Sequence, residues 1–164
     1  MNRKSQEQDS SDAKSPVPVD ELSKQIIEQL QEDGRRSYAA IGKAVGLSEA
    51  AVRQRVQRLL DSGMVQIVGV TDPLQLGFLR QAMIGVNVSG DAQLVADALA
   101  EIPEIEYVVL TAGSFDLLVE VVCRDDEQLL EVINRRIRSL DAVTGTETFV
   151  YLKLRKQTYA WGTR

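Results

Sequence analysis

The junction Gly46-Leu47-Ser48 restricts what this chain can fold into more than any other short stretch. It places a helix stop and a helix start within three residues, between two segments with helical apolar spacing. Before it, Ile41, Ala44 and Val45 recur on one helix face. Gly46 can take the left-handed conformation that ends a helix, and Leu47 can fold back as the hydrophobic contact of that cap. Ser48 suits the N-cap of a second helix, with Val52, Val56, Leu59 and Leu60 on its buried side. The unit reads as helix-turn-helix.

What the second helix leaves outside has a chemistry of its own. Glu49, Arg53, Gln54 and Gln57 fall on its polar face near the N-terminal half. Arginine and glutamine make paired hydrogen bonds to base edges in a DNA major groove. The DNA-facing set is therefore Arg35, Arg36, Ser37, Ser48, Glu49, Arg53, Gln54 and Gln57, with Arg53 on a base and Arg35 and Arg36 on phosphates. Arg55 and Arg58 fit packing or inter-helix salt bridges as well as DNA contact.

Total charge argues against nucleic acid, because the chain is acidic at net −5. The distribution of that charge points the other way. Residues 34–60 carry Arg35, Arg36, Lys43, Arg53, Arg55 and Arg58 against Glu49 alone, whereas residues 81–164 carry eight basic and thirteen acidic residues. Phosphate attraction is screened over about 8–10 Å, so a compact basic patch beside an acidic domain suffices.

Other features exclude whole classes of function. The absence of histidine removes the imidazole base and the histidine metal ligand, and no metal site, cofactor or catalytic residue is expected. Asp125-Asp126-Glu127 stands where a helix opens, which favours capping over metal binding. Cys123 lies in the apolar run Leu117–Cys123 and reads as a core thiol. No stretch approaches the ~20 apolar residues of a membrane span, and residues 1–18 lack the apolar centre of a signal peptide. Those eighteen residues are too polar to fold and are expected to form a disordered tail on a soluble, cytoplasmic protein.

Along the chain, a first helix is expected from the cap Asp20 to about residue 31, with Leu22, Ile26, Ile27 and Leu30 inward and Gly34 as its stop. Gly63 ends the second helix of the pair, and residues 65–70 read as a short strand, the wing of a winged helix over residues 19–70. Residues 71–80 read as a linker with Gly77 as pivot. Residues 81–155 then change period in a regular order. Ala82, Ile84, Val86 and Val88 alternate as a strand, and Asp91 starts a helix with Leu94, Val95, Ala98, Leu99 and Ile102 on one face. Residues 105–111 and Leu117–Cys123 form two strands around the turn 112–116. Asp125 opens a helix with Leu129, Leu130, Ile133, Ile137 and Leu140 inward, residues 146–154 form a fourth strand, and 156–164 is a tail. The order βαββαβ predicts an α+β, ferredoxin-like domain with both helices on one sheet face. Its other face, lined by valine and isoleucine, calls for dimerisation.

In this order, the set of motifs resembles the Lrp/AsnC (leucine-responsive, or feast/famine) transcriptional regulators over about residues 19–155. The matching residues are Asp33-Gly34-Arg35, then Gly46-Leu47-Ser48 leading into Val52, Arg55, Val56, Leu59 and Gly63. Further on come Gly113-x-Phe115-Asp116, and Val143 followed by Thr146 and Thr148. The resemblance implies a homodimer, often assembled into octamers, that binds double-stranded operator DNA and responds to an amino acid held between C-terminal domains. It implies Thr111, Gly113, Ser114, Asp116, Thr146 and Thr148 as effector-facing residues, with hydroxyls orienting a carboxylate and Asp116 either pairing an α-ammonium or capping its own loop. An enzyme reading by similarity to sirohaem decarboxylases conflicts with the missing histidines. The alternative within DNA binding is an architectural protein that wraps DNA without an effector.

Overall fold

The computed structural model describes residues 19–159, 162 and 163. The tail expected over 1–18 lies outside the described residues. The described chain forms two compact units, one reaching Val68 and rejoined from Thr158, the other spanning Gly69–Gln157.

The N-terminal unit is three helices, α1 (Glu21–Glu32), α2 (Tyr38–Val45) and α3 (Glu49–Asp61). Each starts at a side-chain cap: Asp20, Ser37 and Ser48 accept from the backbone N–H three residues on, a device each worth about 1 kcal/mol. Ile26, Leu30, Ile41, Val52 and Val56 form the core, with Tyr38, Val45, Leu47, Leu60 and Val65 packed around it. Gly46 sits at φ 75° and ends α2 as expected. Gly42 has a role the spacing did not announce. A Cβ there would stand 2.5 Å from the Leu47 carbonyl oxygen, so its bare Cα lets the turn close on α2. Gly42 is accordingly buried while Ala44, expected inside, is exposed.

The wing is absent. Among the described residues this unit contains no strand, and residues 65–70 make no ladder. A β-branched run becomes a strand only beside a partner, and none is present here. Val65 instead packs on the helices, and Ile67, Val68 and Val70 are exposed. The linker contains a 3-10 turn, Pro73–Leu76, capped by Asp72 and ended by Gly77.

The C-terminal unit runs β1 (Arg80–Val88), α4 (Ala92–Ala100), β2 (Ile105–Leu110), β3 (Leu117–Cys123), α5 (Asp126–Glu131) and β4 (Val143–Val150). All sheet pairings are antiparallel in the order β2-β3-β1-β4. Ala82, Ile84 and Val86 join Leu117, Val119, Val121 and Cys123 against Val95, Leu99, Leu129, Val132 and Ile137 of the helices. The sandwich is the predicted ferredoxin-like one. Burial pushes the Cys123 thiol up to about 11, helped by the charges of Glu104 and Asp125.

Four details differ from expectation. On α4 the inward stripe is Val95, Ala96 and Leu99, while Leu94 and Ala98 are exposed and Ile102 packs beyond the helix end. After α5 the chain continues in wide π turns, Val132–Ile137. Val132, three residues after Leu129, faces inward, and the wide turn sets Ile137, five residues further on, on the same buried side, while Leu130 of α5 is exposed. β4 begins at Val143 and stops at Val150. Its partner β1 starts at Arg80, so residues 153 and 154 have no strand to pair with; the Tyr151 N–H bonds the Gln81 carbonyl and Leu152 is exposed.

Candidate nucleic-acid interface and effector region

The outer side of α3 carries the predicted DNA-facing residues at its surface. Glu49, Arg53, Gln54 and Gln57 are all exposed. Arg53 is the most organised of them: an Nη donates to Glu49 at 2.8 Å, and its guanidinium carbon stands 5.2 Å from the Tyr38 ring centre. The i,i+4 spacing of α3 supplies the first contact and the close α2–α3 turn supplies the second. Tyr38 was not among the residues expected from sequence; its only signal was an aromatic at the first position of α2, beside Ser37. Gln57 donates to Asp61 at 2.8 Å.

The flanking residues divide. Arg35 is exposed, with its N–H held by the Asp33 carboxylate at 2.9 Å. Arg36 is drawn back to α1, donating to Glu32 at 2.9 Å and to Gln29. Ser37 and Ser48 accept backbone N–H bonds as caps, and their hydroxyl protons stay free to donate to an anion at the exposed helix N-termini. Arg55 turns away from this side. It clamps Asp20 at 2.6 Å and Ser23 at 3.1 Å, tying α3 to the start of α1. Hydrogen bonds from Ser23 and Arg55 hold the Asp20 carboxyl down at about 2. Arg58 lines an open cleft of about 250 Å³ with Arg55, Asp20 and Ser23.

In the C-terminal unit the β2–β3 turn is pinned to the sheet end. The Asp116 N–H donates to the Val86 carbonyl at 3.0 Å, and its carboxylate accepts from the Val88 N–H at 2.8 Å. Thr111 closes the turn by donating its hydroxyl to the Phe115 carbonyl. Gly113 and Ser114 stand exposed at the tip, with open space where a Gly113 Cβ would be. Phe115 lies over Gly85, where an added Cβ would come 2.6 Å from the ring, and meets Phe149 edge-on at 6.2 Å. Both rings therefore sit on the sheet face opposite the helices.

Thr146 pairs with Val86 and Thr148 with Ile84. Those partners face the helices, so the two threonines share that side. The structure thus brings the 111–116 turn and Thr146 to the same sheet end, flanking Val86, and puts Thr148 two residues further along. Thr146 is already engaged: its hydroxyl oxygen accepts from Arg138 Nε at 2.8 Å. Arg138 was not among the expected effector residues, because no sequence period links it to Thr146.

Comparison with known proteins decides the class. An AsnC-type helix-turn-helix domain matches residues 19–60, and an AsnC-type C-terminal dimeric alpha+beta barrel domain matches residues 78–164. The chain belongs to the Lrp/AsnC family of transcriptional regulators. As such it is a DNA-binding regulator rather than an enzyme. The HTH-type transcriptional regulator FL11 of Pyrococcus horikoshii is 37% identical over 144 residues, covering 87% of this chain and 95% of that protein. A proline dehydrogenase transcriptional activator of Rhizobium radiobacter is 33% identical over 145 residues, covering 85% and 93%. Among solved structures, Escherichia coli AsnC aligns with a TM-score of 0.76 at 25% identity, covering 86% of this chain and 97% of that one. A Neisseria meningitidis regulator in complex with L-methionine aligns at 0.77 and 23% identity, covering 87% and 95%; it shares the fold. Among the described residues, no helix of this regulator is long and apolar enough to cross a membrane.

Proposed function

We propose that this regulator reads operator DNA with α3, assembles through its open sheet face, and responds to an amino acid held near the 111–116 turn. The observation that carries the reading is Arg53, exposed on the outer face of α3 and held between Glu49 and Tyr38. A guanidinium steadied before binding loses less freedom on meeting a base edge. Gln54 and Gln57 extend that face, Glu49 keeps Arg53 in place beside the DNA, and Arg35 with the N-termini at Ser37 and Ser48 takes phosphates. Arg36 must first leave Glu32 to do the same.

Assembly follows from the sheet. Tyr107 and Phe149 are exposed, and Phe115 lies on the same helix-free face. A second copy of that face would bury them, and a homodimer would hold two α3 helices for two half-sites about one helical turn apart. Further assembly to an octamer is compatible with this arrangement. The effector set is Thr111, Gly113, Ser114, Asp116, Thr146 and Thr148. Asp116 already holds Val88 with one oxygen, and the other is available to an α-ammonium.

One experiment tests the core of this reading. Gel-shift selection from random DNA should return an operator that Arg53→Ala no longer distinguishes from mismatched sites. Tyr107→Asp with Phe149→Asp should lower the mass in light scattering and weaken operator binding together. Unchanged operator preference in Arg53→Ala would refute the base-reading assignment. Long, phased protection insensitive to all twenty amino acids would favour the architectural alternative.

A further inference from the structure

We infer that Arg138 and the Thr146 hydroxyl form a carboxylate-binding pair, so that the effector is recognised through a carboxylate group. The inference rests on the proposed reading of Thr146 as an effector residue and deepens it.

Arg138 follows directly on the wide turns Val132–Ile137, where its N–H bonds the Ile133 carbonyl, five residues back, at 2.9 Å. Nε donates to Thr146 Oγ1 at 2.8 Å and Nη1 to Asn134 Oδ1 at 3.3 Å. Both acceptors are neutral. Among the described residues, Arg138 makes no salt bridge, in contrast to Arg55 with Asp20 and Arg80 with Asp126. The guanidinium is thus oriented by two hydrogen bonds while its charge stays unpaired.

The hydroxyl completes the pair. Because Thr146 accepts from Arg138, its own proton remains free to donate. Nη2 of Arg138 has no partner among the described residues. An Nη–H and an O–H side by side match the two oxygens of one carboxylate, and charge-assisted bonds of this kind are the strong ones. A basic or wholly apolar ligand group gains nothing at this position. The carboxylate is either the α-carboxylate of any amino acid or the side chain of an acidic one, and the ligand series below separates the two.

Calorimetric titration of the full-length protein with L-glutamate, L-aspartate, L-leucine and L-lysine, and with their α-amides, tests the pair. Arg138→Gln should weaken the ligand that binds wild type by about tenfold or more, with Arg138→Lys recovering part of the loss and the ligand-free melting temperature unchanged. Loss of binding on α-amidation assigns the α-carboxylate. An acidic amino acid that still binds as its α-amide assigns the side chain. A free amino acid that binds wild type and Arg138→Gln alike overturns the pair but leaves the effector site standing. If no amino acid binds wild type in the presence or absence of operator, the effector reading fails and the pair with it.

Discussion

The two units of this regulator are held together in different ways. The C-terminal unit buries thirteen apolar residues between a sheet and two helices, whereas the N-terminal unit buries six. At roughly 1.5–3 kcal/mol for each large apolar side chain buried, the small unit has little reserve. It relies on three serine and aspartate caps, one close glycine contact and the Arg55–Asp20 clamp. Polar and backbone details should therefore govern the DNA-reading half, while the sheet half should tolerate changes to them.

The sharpest way to break that comparison is a pair of glycine substitutions. Gly42→Ala sets a methyl 2.5 Å from a backbone carbonyl that the turn cannot move. It should destabilise the N-terminal unit by about 3 kcal/mol and abolish DNA binding without altering particle mass. Gly85→Ala sets a methyl just as close to Phe115, but a side-chain ring can turn about its own torsions where a backbone carbonyl cannot. About 1 kcal/mol is expected there. Calorimetry resolving two transitions decides, and a larger effect from Gly85→Ala would reverse the comparison.

Within the reading face, Arg53→Ala should lose about 1–3 kcal/mol on the selected operator and little on random DNA. Arg35→Ala should weaken both alike and lower the salt slope by about 1. Competition binding at several salt concentrations separates the two. Tyr38→Leu should have a smaller effect, about 0.5–1 kcal/mol in operator affinity, because it removes the ring beneath Arg53 and keeps an apolar side chain. Tyr38→Phe should restore wild-type behaviour, and a Phe variant as weak as Leu would show that the hydroxyl, not the ring, matters.

The mildest effects concern pH. Asp20 titrates near 2 in the fold against 3.8 when free, first through its bond to Ser23 and then through Arg55. Its contribution is present above pH 3.8 and fades as pH falls towards 2. Asp126, held low by its hydrogen bond to Arg80, gives the C-terminal unit an acid limb of the same sign. Tyr151 moves the other way, raised from 10.0 to about 12 by burial and by Glu120. Its contribution is complete below pH 10 and fades as pH rises through 12. Melting curves should therefore show Asp20→Asn flattening the acid limb of the N-terminal transition and Tyr151→Phe the alkaline limb of the C-terminal one.

What the sequence determined by itself is what short-range chemistry encodes. Asp20, Ser37 and Ser48 sit where helices start because a side-chain oxygen three residues before an N–H caps it whatever the surroundings. Gly46 ends α2 for a reason internal to its own backbone. The order βαββαβ followed from alternating periods, and the outward placement of Glu49, Arg53, Gln54 and Gln57 from the helical repeat. Tertiary structure decided everything that needs a neighbour. Residues 65–70 look like a strand and are not one, since no partner is there to accept the ladder. β4 ends at Val150 opposite Ala82, near the start of β1, and the π turn sets Val132 and Ile137, five apart, on one buried face. Gly85 has to be small because Phe115 comes to it across the sheet from thirty residues on, and Gly42 because the turn five residues on closes back over it. Arg53 on Tyr38 and Arg138 on Thr146 are meetings of different elements, which local pattern alone does not record because only the packed chain sets their distances.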